Sequence, residues 1–264
     1  MAQSLRGFLE DTTETRSLVS SPPAAFEIAE SKRFLQVNFG APGGDGSGEP
    51  VTHIWMKLGS MVACRGDVKF TKEGMLSHGL SHAVKKKITG EGASLVKAES
   101  TRAGQSAQLY LASDQARIVL LRLGPGDALV VNGKDLLAFE STVKHKITMM
   151  KSLSAAVAGG LFNVRLQGHG FVAILSQGKP LTMAVGRHLA PLKTDPQATV
   201  AWSANLVPDF HVDINFKTLL GKGSGETFQM KWHNTSDDEP GFVIVQPVEE
   251  TSRSISSQVV KMFM

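Results

Sequence analysis

The sequence predicts an all-β fold assembled from three related modules, and three observations carry that prediction. An aliphatic-Ala-aromatic or aliphatic-Ala-thiol step followed by a short alternating strand occurs three times: Met61-Val62-Ala63-Cys64 before Asp67-Val68-Lys69-Phe70, Leu136-Leu137-Ala138-Phe139 before Val143 to Ile147, and Thr199-Val200-Ala201-Trp202 before Phe210 to Ile214. The central alanines lie 75 and 63 residues apart, room for a multi-strand unit each time. Period-two alternation recurs in Phe162-Val164-Leu166 and Phe228-Met230-Trp232, the mark of a sheet with one buried and one wet face. The 26 glycines set against 6% aromatic residues add the many tight turns that short strands need.

Taken in order, residues 1–24 read as an arm or short docking strand ending at Pro22-Pro23. A strand-like run from Lys32 contains Phe34, Val37 and Phe39, Gly40 to Gly48 reads as a flexible hairpin loop, and Val51 to Leu58 returns. Each module then offers a segment of helical character closed by glycines. Leu76, Leu80, Val84 and Ile88 form a stripe before Gly90, Met150 to Val157 precede Gly159-Gly160, and Phe216 to Leu220 precede Gly221. A return strand follows in each: Ala107 to Leu111, Gly170 to Ile174 and Gly241 to Val245. The expected organisation is an arm at 1–24, one three-module body at 25–250 (about 25–123, 124–190 and 191–250) and a tail at 251–264.

The formal charge of +4, from 28 basic and 24 acidic residues, is too mild for a dedicated nucleic-acid binder. One cysteine, Cys64, excludes an internal disulfide, so a reducing cytoplasm is the expected compartment. The longest apolar candidate, Ile118 to Leu123, is far short of the ~20 residues that span a bilayer and contains Arg122. Residues 1–16 carry Glu10, Asp11 and Glu14 and have the character of neither an Arg-rich presequence nor a secretory signal.

Chemical motifs are weak. His78 and His82 share the i, i+4 spacing of metal-binding histidines, but no third ligand completes the pattern, and a solvated helix face is the better reading. Gly221-Lys222-Gly223-Ser224-Gly225 lacks the spacing of a phosphate loop and reads as turn glycines. Cys64 occupies the position of Phe139 and Trp202, which makes it a core or interface filler rather than a nucleophile. Lys85, Lys86 and Lys87 are the candidate contact with an anionic surface such as lipid headgroups. No catalytic, cofactor-binding or metal-ligating residue is assigned.

An ordered set of motifs resembles the altered-inheritance-of-mitochondria family, also called the tryptophan RNA-binding attenuator-like domain. It comprises Gly59-Ser60-Met61-Val62-Ala63 with Gly66-Asp67-Val68, Thr89-Gly90-Glu91-Gly92, and Gly160-Leu161-Phe162 with Gly168-His169-Gly170. Gly223-Ser224-Gly225-Glu226 with Gly241 to Pro247 completes it. The spacing is similar to that of bacterial, especially actinobacterial, members. The resemblance implies antiparallel sheets in three similar units around a pseudo-threefold axis, an attenuator-like arrangement related to a double-stranded β-helix, usually associating into trimers. It carries no catalytic residues over, and its fold-derived name does not imply tryptophan or RNA binding. The expected function is a non-enzymatic, self-associating scaffold, cytoplasmic or peripheral to a membrane, with protein partners or an anionic membrane face. A small-ligand or nucleic-acid module using grooves between modules is the alternative.

Overall fold

The computed structural model describes residues 3–4, 24–29, 32–72, 95–101, 107–149, 162–212, 228–236 and 239–247. Two short strands, β1 (Gln3–Ser4) and β2 (Phe26–Ile28), precede three successive sets of six. The first set is β3 (Leu35–Phe39), β4 (His53–Lys57), β5 (Met61–Arg65), β6 (Val68–Lys72), β7 (Leu95–Ser100) and β8 (Ala107–Leu111). The second is β9 (Arg117–Leu123), β10 (Ala128–Asn132), β11 (Leu136–Glu140), β12 (Val143–Met149), β13 (Phe162–Gly168) and β14 (Gly170–Ser176). The third is β15 (Leu181–Val185), β16 (Lys193–Thr194), β17 (Thr199–Ser203), β18 (Leu206–Val212), β19 (Phe228–Asn234) and β20 (Gly241–Val245).

One antiparallel pairing scheme runs through all three sets. The sixth strand lies between the first and the third (β3–β8–β5, β9–β14–β11, β15–β20–β17), and the fifth lies between the second and the fourth (β4–β7–β6, β10–β13–β12, β16–β19–β18). Two seams then join neighbouring sets, β4 to β11 and β10 to β17. The sheets that result are β1-β9-β14-β11-β4-β7-β6, β12-β13-β10-β17-β20-β15, β2-β3-β8-β5 and β16-β19-β18.

The threefold sequence motif has a local structural meaning. In each third strand the register shifts by one residue just before the alanine, between Met61 and Ala63, Leu136 and Ala138, and Thr199 and Ala201. The extra residue is the motif aliphatic, Val62, Leu137 or Val200. A bulge bends its strand and strengthens the local twist. The small residue that follows is buried in two of the three copies, Ala138 and Ala201.

Three apolar clusters lie between the layers. Alternation along β14 sends Phe171, Ala173 and Leu175 into the first cluster with β3 and β8, and Val172 and Ile174 into the second with β10, β17 and β20. A third, smaller cluster holds Val185, Trp202, Leu206, Met230, Trp232 and Val243. Here the rings of Trp202 and Trp232 lie 5.2 Å apart and tilted, the trade of ring edge against ring face that aromatic pairs prefer. The Trp232 indole N–H donates to Thr194 Oγ1 at 2.9 Å.

Several expectations change. Gly40 to Gly48 is not a hairpin loop, because β3 pairs with β2 and β8 while β4 pairs with β7 and β11. The loop crosses between sheets and carries its own short ladder, with Gly40 N–H donating to Val51 O and Val51 N–H to Ala41 O. Phe34 precedes its strand and is exposed. Of residues 1–23 the structure describes Gln3 and Ser4, which run parallel to Leu121 and Arg122. No α-helix occurs among the described residues; a 3-10 turn spans Gly133–Asp135. The helices expected near 76–88, 150–157 and 216–220 lie outside the described residues, each between the fourth and fifth strands of its set.

Trp202→Ala is expected to cost ~3–5 kcal/mol in chemical denaturation, the usual loss for a buried large aromatic. A loss below ~1 kcal/mol would mean that the third cluster does not hold the Trp202 ring.

Candidate functional site

A β-strand carries hydrogen-bonding groups on both edges, and a strand with one edge open invites another chain. Strands β11 and β17 have both edges occupied and are buried at all five positions. Strand β5, their counterpart in the first set, pairs among the described residues with β8 alone and is exposed at all five positions. Its apolar side chains are therefore in water, with Met61 at 44% and Val62 at 54% exposure, and Phe70 on neighbouring β6 at 41%. Arg65, Lys69 and Lys72 on the same two strands are exposed as well. Apolar side chains along an open strand edge offer a surface for another chain.

Cys64 corrects half of its expectation. It is exposed, whereas β4 and β10 lie opposite its counterparts Phe139 and Trp202, so it is not part of the core among the described residues. Burial by its immediate surroundings, with Asp67 nearby, raises the thiol above its usual value and opposes thiolate formation. Its Sγ donates weakly to Gly66 O at 3.7 Å.

A second feature, Glu140, escaped the sequence reading. This carboxylate ends buried β11 at 1% exposure, and both of its oxygens accept the Gly44 N–H at 3.0 Å. Its Oε2 also accepts the Phe171 N–H at 3.0 Å. Glu140 thus fastens the 40–50 loop to the start of β14. Arg122 Nε donates to the Gly44 carbonyl from the other side. The contacts leave no room for larger residues: a Cβ on Gly44 would sit 2.7 Å from the Phe171 ring, and one on Gly170, at φ +138°, 2.6 Å from Glu140 Oε2. Its counterpart in the third set is Ser203, whose Oγ accepts the Phe242 N–H at 3.0 Å. The one available signal was a lone acid closing the apolar run Leu136 to Phe139.

Burial pushes the Glu140 carboxyl up to about 7; the Gly44 and Phe171 N–H groups pull it down, Asp45 pushes it up and Arg122 pulls it down. Asp45 is itself held low, since hydrogen bonds from the Ser47 N–H and Oγ outweigh its burial.

Elsewhere, a cavity of about 370 Å³ opens where β10 and β13 meet β17 and β20, lined by Asp127, Arg165, Asn205, Glu239 and Phe242 among others. Among the described residues no group of three or more His, Cys, Asp or Glu could hold a metal ion, and no helix is long and apolar enough to cross a membrane. His78, His82, Lys85, Lys86, Lys87, Gly221 to Gly225 and the tail at 251–264 lie outside the described residues.

Because folding raises the Glu140 value, its stabilising effect is complete below about 4.5 and is lost as the pH climbs through about 7. Denaturation at stepped pH should show roughly 3 kcal/mol lost across that window, at ~1.4 kcal/mol for each tenfold change in proton affinity. Glu140→Gln should remove this component; an unchanged pH profile in the variant would assign it to other groups.

The family model described as Mitochondrial biogenesis AIM24 matches residues 48–248. No curated protein matches the chain. Among solved structures, the crystal structure of protein SPYM3_0169 from Streptococcus pyogenes is similar to it with a TM-score of 0.61 at 19% identity. That match covers 90% of this chain and 99% of the other, a likeness of fold. With the family model spanning most of its length, and the same all-β architecture in the bacterial structure, this chain belongs to the AIM24 family.

Proposed function

We propose that this protein is a non-enzymatic β scaffold that associates with copies of itself through the open edge of β5. The observation that carries this reading is the contrast between β5, exposed along its whole length with Met61 and Val62 in water, and β11 and β17, buried along theirs. We read the three six-strand sets, 35–111, 117–176 and 181–245, as repeats around a pseudo-threefold axis, one strand earlier than the motif alone suggested. Identical pairing orders and the bulge common to all three support that reading. Burying Met61 and Val62 contributes about 1.5–3 kcal/mol for each fully covered side chain, enough to bias association when backbone pairing accompanies it. A cytoplasmic scaffold that forms trimers and contacts an anionic membrane face through Lys85, Lys86 and Lys87 extends the same proposal.

A second reading, capture of a small polar ligand, is favoured by the cavity of about 370 Å³ beside Arg165 and Phe242, which lies at the lower end of the ~300–1,000 Å³ typical of ligand sites.

Sedimentation of the full chain tests the first reading. The wild type should run heavier than a single chain, and Val62→Asp, which places a charge on the exposed face, should return it to one. A wild type that stays a strict monomer at every concentration tried would overturn self-association.

A further inference from the structure

The open edge of β5 has a counterpart elsewhere in the chain. The two seams join the second strand of one set to the third strand of the next, β4 to β11 and β10 to β17. Among the described residues, the second strand still without such a partner is β16, at the edge of the three-stranded sheet, and the third strand without one is β5, at the edge of the four-stranded sheet. The edges of β16 and β5 are complementary members of a series already realised twice.

The series also fixes a register. The hairpin partners Lys97, Arg165 and Lys231 make Trp55, Val130 and Lys193 equivalent positions. In the existing seams Trp55 faces Phe139 and Val130 faces Trp202, while Met56 faces Ala138 and Val131 faces Ala201. Carried to the third position, both seams give one answer: Lys193 faces Cys64, Thr194 faces Ala63 and Leu192 faces Arg65. We infer that the β5 edge of one copy pairs antiparallel with the β16 edge of a second copy in this register, with Cys64 opposite Lys193.

The β16 edge is ready to receive a strand. Leu192 O accepts the Trp232 N–H, so by strand alternation the N–H and C=O of Lys193 face the open side. Thr194 is buried and fixed from behind, accepting from the Trp232 indole at 2.9 Å and bonded to Thr199 Oγ1 at 3.0 Å.

A second copy fits better than closure within one chain. At the two existing seams the strand beside the third strand turns Phe171 and Ala173, or Phe242 and Ile244, into an apolar cluster. The equivalent residues of β8 are Gln108 and Tyr110. Gln108 belongs to a polar network in which its Nε2, and that of Gln36, donate to Asn38 Oδ1 at 3.3 and 2.8 Å. Closing the ring within one chain would press this network onto the third apolar cluster and strip its water. Pairing between two copies requires only the backbone ladder, so their sheets can meet at an angle that leaves this face wet. Each chain then offers one β5 edge and one β16 edge, a head-to-tail contact that gives a ring when the rotation from copy to copy closes.

This inference rests on the self-association proposed above, and the test separates the two. Full-length Lys193→Cys, with native Cys64, is oxidised mildly and run on a non-reducing denaturing gel, with peptide mass spectrometry locating the link. The expected result is covalent species of two or more chains, each held by a disulfide between position 64 of one chain and position 193 of another. A 64–193 link within one chain, or none, overturns the inference. Sedimentation of the unmodified chain decides what else falls: oligomers without the 64–193 link leave self-association standing on another surface, and a monomer removes both. Should Lys193→Cys fail to fold, Leu192→Cys with Arg65→Cys in a Cys64→Ser background reads the same register.

Discussion

Two-sided pairing of the third strand in the second and third sets organises this molecule. Strands β11 and β17 give one edge to the last strand of their own set and the other to the second strand of the set before. Buried backbone groups must find partners, so a strand that ties two sets together can be buried on both faces, as these two are. Among the described residues strand β5 pairs on one edge only, with β8, and its apolar residues stay in water. Layer order, core placement and the exposed edge all follow from which third strands are paired twice.

The bulge and the Glu140 clasp are two local answers to the bending this arrangement demands. An extra residue before each motif alanine turns the strand so that it meets both neighbours. At the far end of the strand the chain must leave one sheet and enter another, and the N–H that opens the returning strand needs an acceptor. Ser203 supplies it in the third set and Glu140 in the second. The carboxylate has a second oxygen to offer, and with it holds the Gly44 loop as well. That extra hold puts an ionisable group in the interior, which ties loop anchoring to pH.

Much of the architecture was legible in the residues. The motif located β5, β11 and β17, and the alternating runs located β13 and β19 with the faces of Val164, Leu166, Met230 and Trp232 assigned correctly to the interior. Both signals are local: period-two alternation reflects which side of a pleat is dry, and a bulge needs a particular small neighbour. The strand partners were not legible. Gly40 to Gly48 read as a hairpin because two strand-like runs flank a glycine-rich stretch, and only the long-range pairing of β3 with β8 and of β4 with β11 separates them.

The candidate site divides along the same line. By itself the sequence determined that Cys64, Phe139 and Trp202 are equivalent positions, because a repeated pattern of side-chain sizes is written in the chain. It could not determine that two of them are buried and the third is in water, since burial depends on whether a strand 70 or more residues away arrives at the edge. Nor could it single out Glu140, whose importance comes from the Gly44 and Phe171 N–H groups that the fold brings to it. Local patterning set the elements and their inward faces; tertiary pairing, which satisfies backbone groups across long sequence separations, decided which edge was left open.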